Sequence, residues 1–333
     1  MATIGNSYFD LIDLYKGQDN KGNTVPVIEM LSQLTPMTED GLAVECNQGT
    51  THLHSVRTGL PAVTWGKLYQ GIPQGKSQKA QVTDTTGFVE GLSQVDTRLL
   101  EIAKDPGAVR LGEANAYLEA MAQEAESKLI YGNSAADPEQ FMGLAPRFND
   151  LSAANGNQII DATGSGSDNT SVWFVTWGDN QAQLLYPEGT SAGVTREDKG
   201  EQRVLDASGN AYYVKEELFR WHLGVAVKDW RYVSRIANID VSDLAAGTVD
   251  IYKYMRKAYY ALQNRRNGAV GRIAIYCNKD VLEALDAEGS NSGASDNFAR
   301  LRPMEIQGKE VLSYRGIPIR DTDAILNTEA QVT

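Results

Sequence analysis

His52 and His54 are the residues with the clearest chemical potential in this 333-residue chain. A His-x-His spacing on a strand points both imidazoles to one face, where zinc can be held. A metal centre needs further ligands, and the third histidine, His222, is far away in sequence. Cys46 and Cys277 have no metal-type spacing and read as reduced, buried residues, since a domain relying on disulfides would be Cys-dense. Gly164-Ser165-Gly166 lacks the lysine and following helix of a phosphate loop. Asp19–Gly22 is too short for a calcium loop, whose glycine stands at the sixth position. Glu197-Asp198 and Asp321 with Asp323 could be paired carboxylates, but acidic surface runs are ordinary in a chain of this charge. No Ser–His–Asp or Cys–His set can be assembled without arbitrary choice. The expectation is no catalytic residue, no metal and no cofactor.

Composition narrows the classes further. With 31 basic and 43 acidic residues the formal charge is −12, which argues against binding driven by phosphate neutralisation. No Lys/Arg run makes a local exception. No apolar run has transmembrane length, and the N-terminus has no signal pattern, so a soluble product of the cytoplasm is expected.

The elements that would position any functional residue come next. From Thr51 to about Glu101 the chain reads as a long β-hairpin. Its arms are His52–Tyr69 and Gln78–Leu100, and GIPQGKS lies between them, with Gly71, Pro73 and Gly75 as turn formers. The arms carry few large apolar residues, and no later segment is an obvious cover. A hairpin of this length is marginal alone, so a neighbouring copy of the chain is the expected support. Val109–Tyr131 then reads as an amphipathic helix with a stripe at Leu111, Ala114, Leu118, Met121, Ala125 and Leu129. Glu113, Glu119, Glu124 and Glu126 lie mostly off the stripe, and Glu124 can pair with Lys128. Before the hairpin, Tyr8–Tyr15 and Val27–Leu34 read as short helices on a polar string, with Phe9 a candidate docking residue.

Later segments alternate between strand and helix. Val172–Trp177 and Leu184–Tyr186 read as strands, Glu188–Gly209 as a polar stretch, and Tyr212–Ile239 as a long β-rich segment with Gly224 between its halves. Ile251, Met255, Ala258 and Leu262 form a helical stripe, Arg272–Cys277 a buried strand, and Asn278 a cap for the next helix. Gly289–Asn297 reads as a mobile loop, and Val311–Tyr314 leads to Gly316–Ile319.

After the long helix comes Tyr131-Gly132-Asn133, then Asp137-Pro138-Glu139-Gln140-Phe141, then Gly143-Leu144-Ala145-Pro146. Hairpin, helix and this passage together resemble the major capsid proteins of tailed double-stranded DNA bacteriophages, with the Hong Kong 97-like fold. The nearest resemblance is to capsid proteins of epsilon-type short-tailed phages. Asp229-Trp230-Arg231-Tyr232 matches the family's charged-aromatic run, and Gly316-Ile317-Pro318-Ile319 its late strand. The resemblance implies an α+β fold: N-terminal arm 1–50, extended hairpin loop 51–102, spine helix and peripheral domain 103–150. A connecting region 151–210, long peripheral strands 211–248 and an axial domain with C-terminal strand 249–333 follow. Here the strands precede the axial block, a permuted order relative to the commoner family arrangement.

The function implied is self-assembly into pentamers and hexamers of an icosahedral shell around the phage genome, in the virion, with assembly in the host cytoplasm. Candidate assembly residues are Tyr69, Gly71, Pro73, Gly75, Lys76, Lys79, Phe9 and Trp230. Implied partners are further copies, a separate scaffolding protein, a portal, a decorating protein, and packaged double-stranded DNA contacted only weakly; no membrane is involved. Rival readings are a tail, sheath or surface-layer subunit, or a soluble α/β enzyme.

Overall fold

The computed structural model describes residues 14, 33–263, 271–291, 301–306 and 309–333. Phe9, the Asp19–Gly22 turn and nearly all of the two expected N-terminal helices lie outside these residues, as does most of the expected loop at Gly289–Asn297.

The first described elements are α1 (Pro36–Asp40), β1 (Ala43–Glu45), β2 (Thr51–Gly59), β3 (Gln78–Asp96) and α2 (Thr97–Ile102). Next is the long helix α3 (Pro106–Tyr131). It begins ahead of the expected Val109 because Asp105 is its N-cap, accepting from Ala108 N at 3.0 Å, and Pro106 fits the first turn without needing an N–H partner. The helix stops at Gly132, whose N–H donates to Lys128 O. The glycines of the following passage then acquire a physical reason. Gly143 N–H donates to Gly132 O at 2.7 Å, and a Cβ on either glycine would stand within 3 Å of backbone carbonyl oxygens. The chain thus folds back on the helix end, with Phe141 and Leu144 buried beneath it.

Beyond this clasp come β4 (Ile159–Asp161), β5 (Asn169–Trp177), β6 (Ala182–Tyr186), β7 (Val194–Leu205), β8 (Ala211–Val227) and β9 (Val233–Asp240). They are followed by α4 (Val241–Ala245), α5 (Ile251–Ala261), β10 (Arg272–Cys277), α6 (Lys279–Asn291), β11 (Leu301–Ile306), β12 (Lys309–Tyr314) and β13 (Ile317–Asp321). Hydrogen bonding links the described strands into one large sheet, along the path β11-β12-β13-β10-β5-β6-β8-β3-β2. Strand β5 shows how the sheet is buried on both faces. Trp173, Val175 and Trp177 enter one core with the end of α3 and the C-terminal segment, while Val172 and Phe174 enter the other with α5 and α6.

Several expectations require correction. The first hairpin arm is a strand only to Gly59, and Leu60–Tyr69 is irregular. The second arm is a strand to Asp96, which then caps α2 by accepting from Arg98 N. The hairpin also has support from its own chain. Thr86–Asp96 of β3 pairs with Gly224–Val214 of β8, so the unsupported length begins only beyond Thr85. The polar stretch Glu188–Gly209 contains strand β7, which pairs along β8. Gly224 lies within β8, and the break before β9 comes at the turn Trp230–Tyr232.

The α3 stripe is only partly a core line. Ala114, Met121, Ala125 and Leu129 are buried, but Leu111 is 53% and Leu118 36% exposed. The helix lies on β3 and β8 through Tyr117, whose ring stacks on Phe219 and whose hydroxyl donates to Leu92 O at 2.9 Å. Gly91 permits this approach, since a Cβ there would sit 2.7 Å from the Tyr117 ring. The Glu124–Lys128 pair forms as expected, at 3.4 Å.

Candidate assembly surface

The hairpin divides into an anchored base and a free tip. At the base, β2 and β3 pair in register from Thr51 opposite Thr85 to Gly59 opposite Gln78, with an irregularity between Arg57 and Gly59. His52 stands opposite Asp84, and the His52 and His54 rings share one face with centroids 6.4 Å apart. Asp84 is buried and takes Arg147 Nη2 at 2.7 Å. Arg147 also donates to the carbonyls of Met142 and Val225, riveting the hairpin base to the body. Burial holds both imidazole pKa values below the usual histidine range, reinforced by the charge of Lys228 and opposed by Asp84. Burial also pushes the neighbouring Cys46 thiol up to about 11, and Cys46 and Cys277 are both free and buried. Among the described residues, no three His, Cys, Asp or Glu side chains converge as metal ligands.

The tip is the opposite environment. Every residue from Leu60 to Lys76 is exposed, including Leu60, Val63, Leu68 and Ile72, with Trp65 at 96% and Tyr69 at 107%. Six large apolar side chains projecting from one loop form a patch of the kind that marks an interaction surface. Tyr69, Gly71, Pro73, Gly75 and Lys76 are brought together here, and Lys79 follows at the start of β3 opposite Arg57. Within the tip the left-handed conformation is taken by Tyr69, at φ 63°, and not by Gly71 or Gly75. Trp230 is not part of this group. It is 41% exposed in the turn between β8 and β9.

Sequence reasoning missed Leu60, Val63, Trp65, Leu68 and Ile72, although five apolar residues without strand alternation beside a turn were a usable signal. It also placed Glu126 off the buried stripe, whereas Glu126 is fully buried. Its carboxylate accepts from Met37 N, Thr38 N and Thr322 Oγ1, fastening α1 to α3 and to the end of β13. Asp40 of α1 is held in turn by Arg272 at 2.7 Å, Arg320 at 2.9 Å and Tyr276 Oη at 2.9 Å. Glu197 and Asp198 are surface partners of Lys199 and Arg110. Asp323 accepts from Leu34 N at 3.1 Å. His222 lies against the Phe88 ring.

An α+β body that projects an apolar loop it cannot cover has the form of a subunit of an assembly. The comparisons with known proteins give the class its family. The profile described as "Major capsid protein GP7" matches residues 19–333, and the chain belongs to that family. The structure of bacteriophage epsilon15 contains a chain 36% identical to this one, matched over 100% of both chains with a TM-score of 0.77. Two more distant likenesses are the capsid of a native GTA particle and the holo-SrpI encapsulin complex of Synechococcus elongatus. The first is 10% identical, covers 65% of this chain and 94% of its own, and has a TM-score of 0.44. The second is 11% identical, covers 70% and 96%, and has a TM-score of 0.45. Among curated protein sequences none matches. The chain is therefore a structural protein of the phage virion that forms an icosahedral shell. No described helix is long and apolar enough to cross a membrane.

Proposed function

We propose that the hairpin Thr51–Asp96 is the extended loop by which one subunit overlaps the next, within pentamers and hexamers of the shell. The observation that carries this reading is the apolar tip around Trp65 and Tyr69, which has no cover within its own subunit. In this reading α3 is the spine of a peripheral domain, β8 and β9 supply its long strands, and residues 249–333 form the axial domain, in the permuted order. Residues 1–50 act as an arm, fastened at α1 by Glu126 and Asp40. A portal and a decorating protein complete the assembly, and a separate scaffolding protein makes the closed shells uniform in size. Lys67, Lys76 and Lys79 are the basic residues of the loop that meet acidic neighbours.

Electron microscopy of the purified chain tests this, with Trp65→Ser/Leu68→Ser alongside. Wild type should give rings of five or six subunits and closed shells. The variant should melt with the wild type, because both side chains are exposed in the subunit, yet fail to close. A wild type that stays a compact monomer at high concentration, or a variant that closes normally, would sink the proposal.

A further inference from the structure

Most described arginines on this surface are matched to a carboxylate within the subunit, as Arg98 is to Asp96, Arg220 to Glu90 and Arg231 to Asp229. Helix α5 departs from that pattern. It buries Ile251, Tyr252, Met255 and Ala258. Its outward line, at helical steps i, i+3, i+4 and i+7, is Lys253, Arg256, Lys257 and Tyr260, all exposed. Linear sequence hides this basic stripe, because Met255 interrupts the run while the helix brings its cations together. None of the three cations has a carboxylate partner among the described residues. Instead Lys253 and Lys257 each hold Nζ 5.5 Å from the centre of the Tyr254 ring. Arg315, on the tight turn joining β12 to β13, lies 4.9 Å over Tyr259 and 5.4 Å over Tyr260 and adds a fourth cation.

Helix α6 packs beside α5 on the same core, and Tyr252 Oη donates to Leu285 O at 2.7 Å. Its outward residues Glu283 and Asp286 are exposed and, among the described residues, have no cationic partner. Each subunit therefore presents a basic stripe on α5 and the exposed carboxylates of Glu283 and Asp286 on α6, and among the described residues no ion pair joins the two.

We propose that these stripes are the two halves of one head-to-tail contact between copies of the chain, Lys253, Arg256 and Lys257 of one subunit facing Glu283 and Asp286 of the next. The inference rests on the shell reading and assigns it a second contact, separate from the hairpin. A ring built head to tail needs two different patches on every subunit, and opposite charges select the partner and fix the register. A nucleic acid suits the site less well. Glu283 and Asp286 beside the cations, and a net charge of −12, both oppose a polyanion.

Charge reversal tests the contact. K253E/R256E/K257E and E283K/D286K are made separately and then in one chain, with folding checked by circular dichroism. Assembly is followed by light scattering and electron microscopy. Each reversal alone should raise the concentration needed for assembly about tenfold or more, because like charges then face each other. The combined chain, with the pair swapped, should recover to within about threefold of wild type, and wild-type assembly should weaken from about 0.1 to 1 M salt. Either reversal assembling at the wild-type concentration, or a combined chain no better than its worse parent, overturns the proposal.

Acetylation of the wild type needs no variant to fold. Lys253 and Lys257 should be protected in assembled material relative to free subunits, and equal reactivity would refute the contact. If a short DNA duplex protects these lysines in free subunits while E283K/D286K assembles normally, the partner is nucleic acid and the proposal fails. Wild-type shells with indifferent variants would remove this contact alone. A wild type that never assembles would remove the shell reading as well.

Discussion

Glu126→Gln isolates a buried carboxyl with a calculable effect. Burial, with a smaller push from Asp40, raises the Glu126 pKa to about 7, although Met37 N, Thr38 N and Thr322 Oγ1 pull it the other way. The folded state therefore holds a proton that the unfolded state, with a pKa near 4.5, has already released. Its contribution is fully present below the unfolded value and is lost as pH rises through about 7. The distance from 4.5 to about 7, at 1.36 kcal/mol per pH unit, gives about 3 kcal/mol. Glutamine keeps the shape and one acceptor oxygen but cannot accept from Thr38 N. That loss, about 1–3 kcal/mol, does not vary with pH. The assay is urea unfolding of the unassembled subunit by tryptophan fluorescence at steps from pH 4 to 8. Plotted as variant minus wild type, stability should rise by about 3 kcal/mol across that range. Titration of His52 and His54 is common to both proteins and cancels. Parallel profiles would mean that Glu126 is ionised throughout, with its three donors outweighing burial.

The hairpin base titrates with the opposite sign. The His54 pKa is held below 6.5 chiefly by burial, so the unfolded chain takes up a proton first and stability falls as pH drops below 6.5. His54→Gln should flatten that acid limb in the same urea assay, and an unchanged limb would refute it. Arg235 and Glu329 form a pair in which each side chain is 4% exposed, at 2.8 Å, and Arg235 also donates to Phe148 O. Arg235→Ala should cost about 3–5 kcal/mol in urea unfolding, because it strands Glu329 in the core. Adding Glu329→Gln should recover a substantial part, and a purely additive loss would count against the stranded charge.

How much of this was legible in sequence depended on how each segment is buried. α3 was legible because its apolar residues recur at helical spacing, and its start was placed at Val109 because the apolar stripe does not extend back to the Asp105 cap and the Pro106 first turn. Strand β5 was legible because both its faces are buried, giving an unbroken apolar run. β7 was not, because it is exposed along nearly its whole length and β8 is its strand partner, so no alternation records it. The tip was located, yet its apolar residues went unrecognised because Leu60–Tyr69 was read as part of an extended arm, whose alternation these residues do not follow. Glu126 was invisible for a related reason. Its donors lie about ninety and two hundred positions away, at Met37 and Thr322.

These polar contacts are distributed according to what each part of the subunit does. Inside the body, buried ionisable side chains join segments distant in sequence: Glu126 to α1 and Thr322, Asp40 to Arg272 and Arg320, Arg235 to Glu329. Each finds its ionic or hydrogen-bond partner within the subunit, although Arg235 Nε and Arg320 Nε are buried without one. The hairpin tip is uncovered, and Lys253, Arg256, Lys257, Glu283 and Asp286 have no ion-pair partner among the described residues, so individually weak contacts there become jointly strong when repeated around a shell. Body stability and assembly should then separate under mutation. Tip and stripe variants should leave unfolding of the isolated subunit unchanged while blocking closure. Arg235→Ala, and Glu126→Gln at acid pH, should weaken the isolated subunit yet still close at high concentration, because assembly draws the folded form out of the unfolding equilibrium.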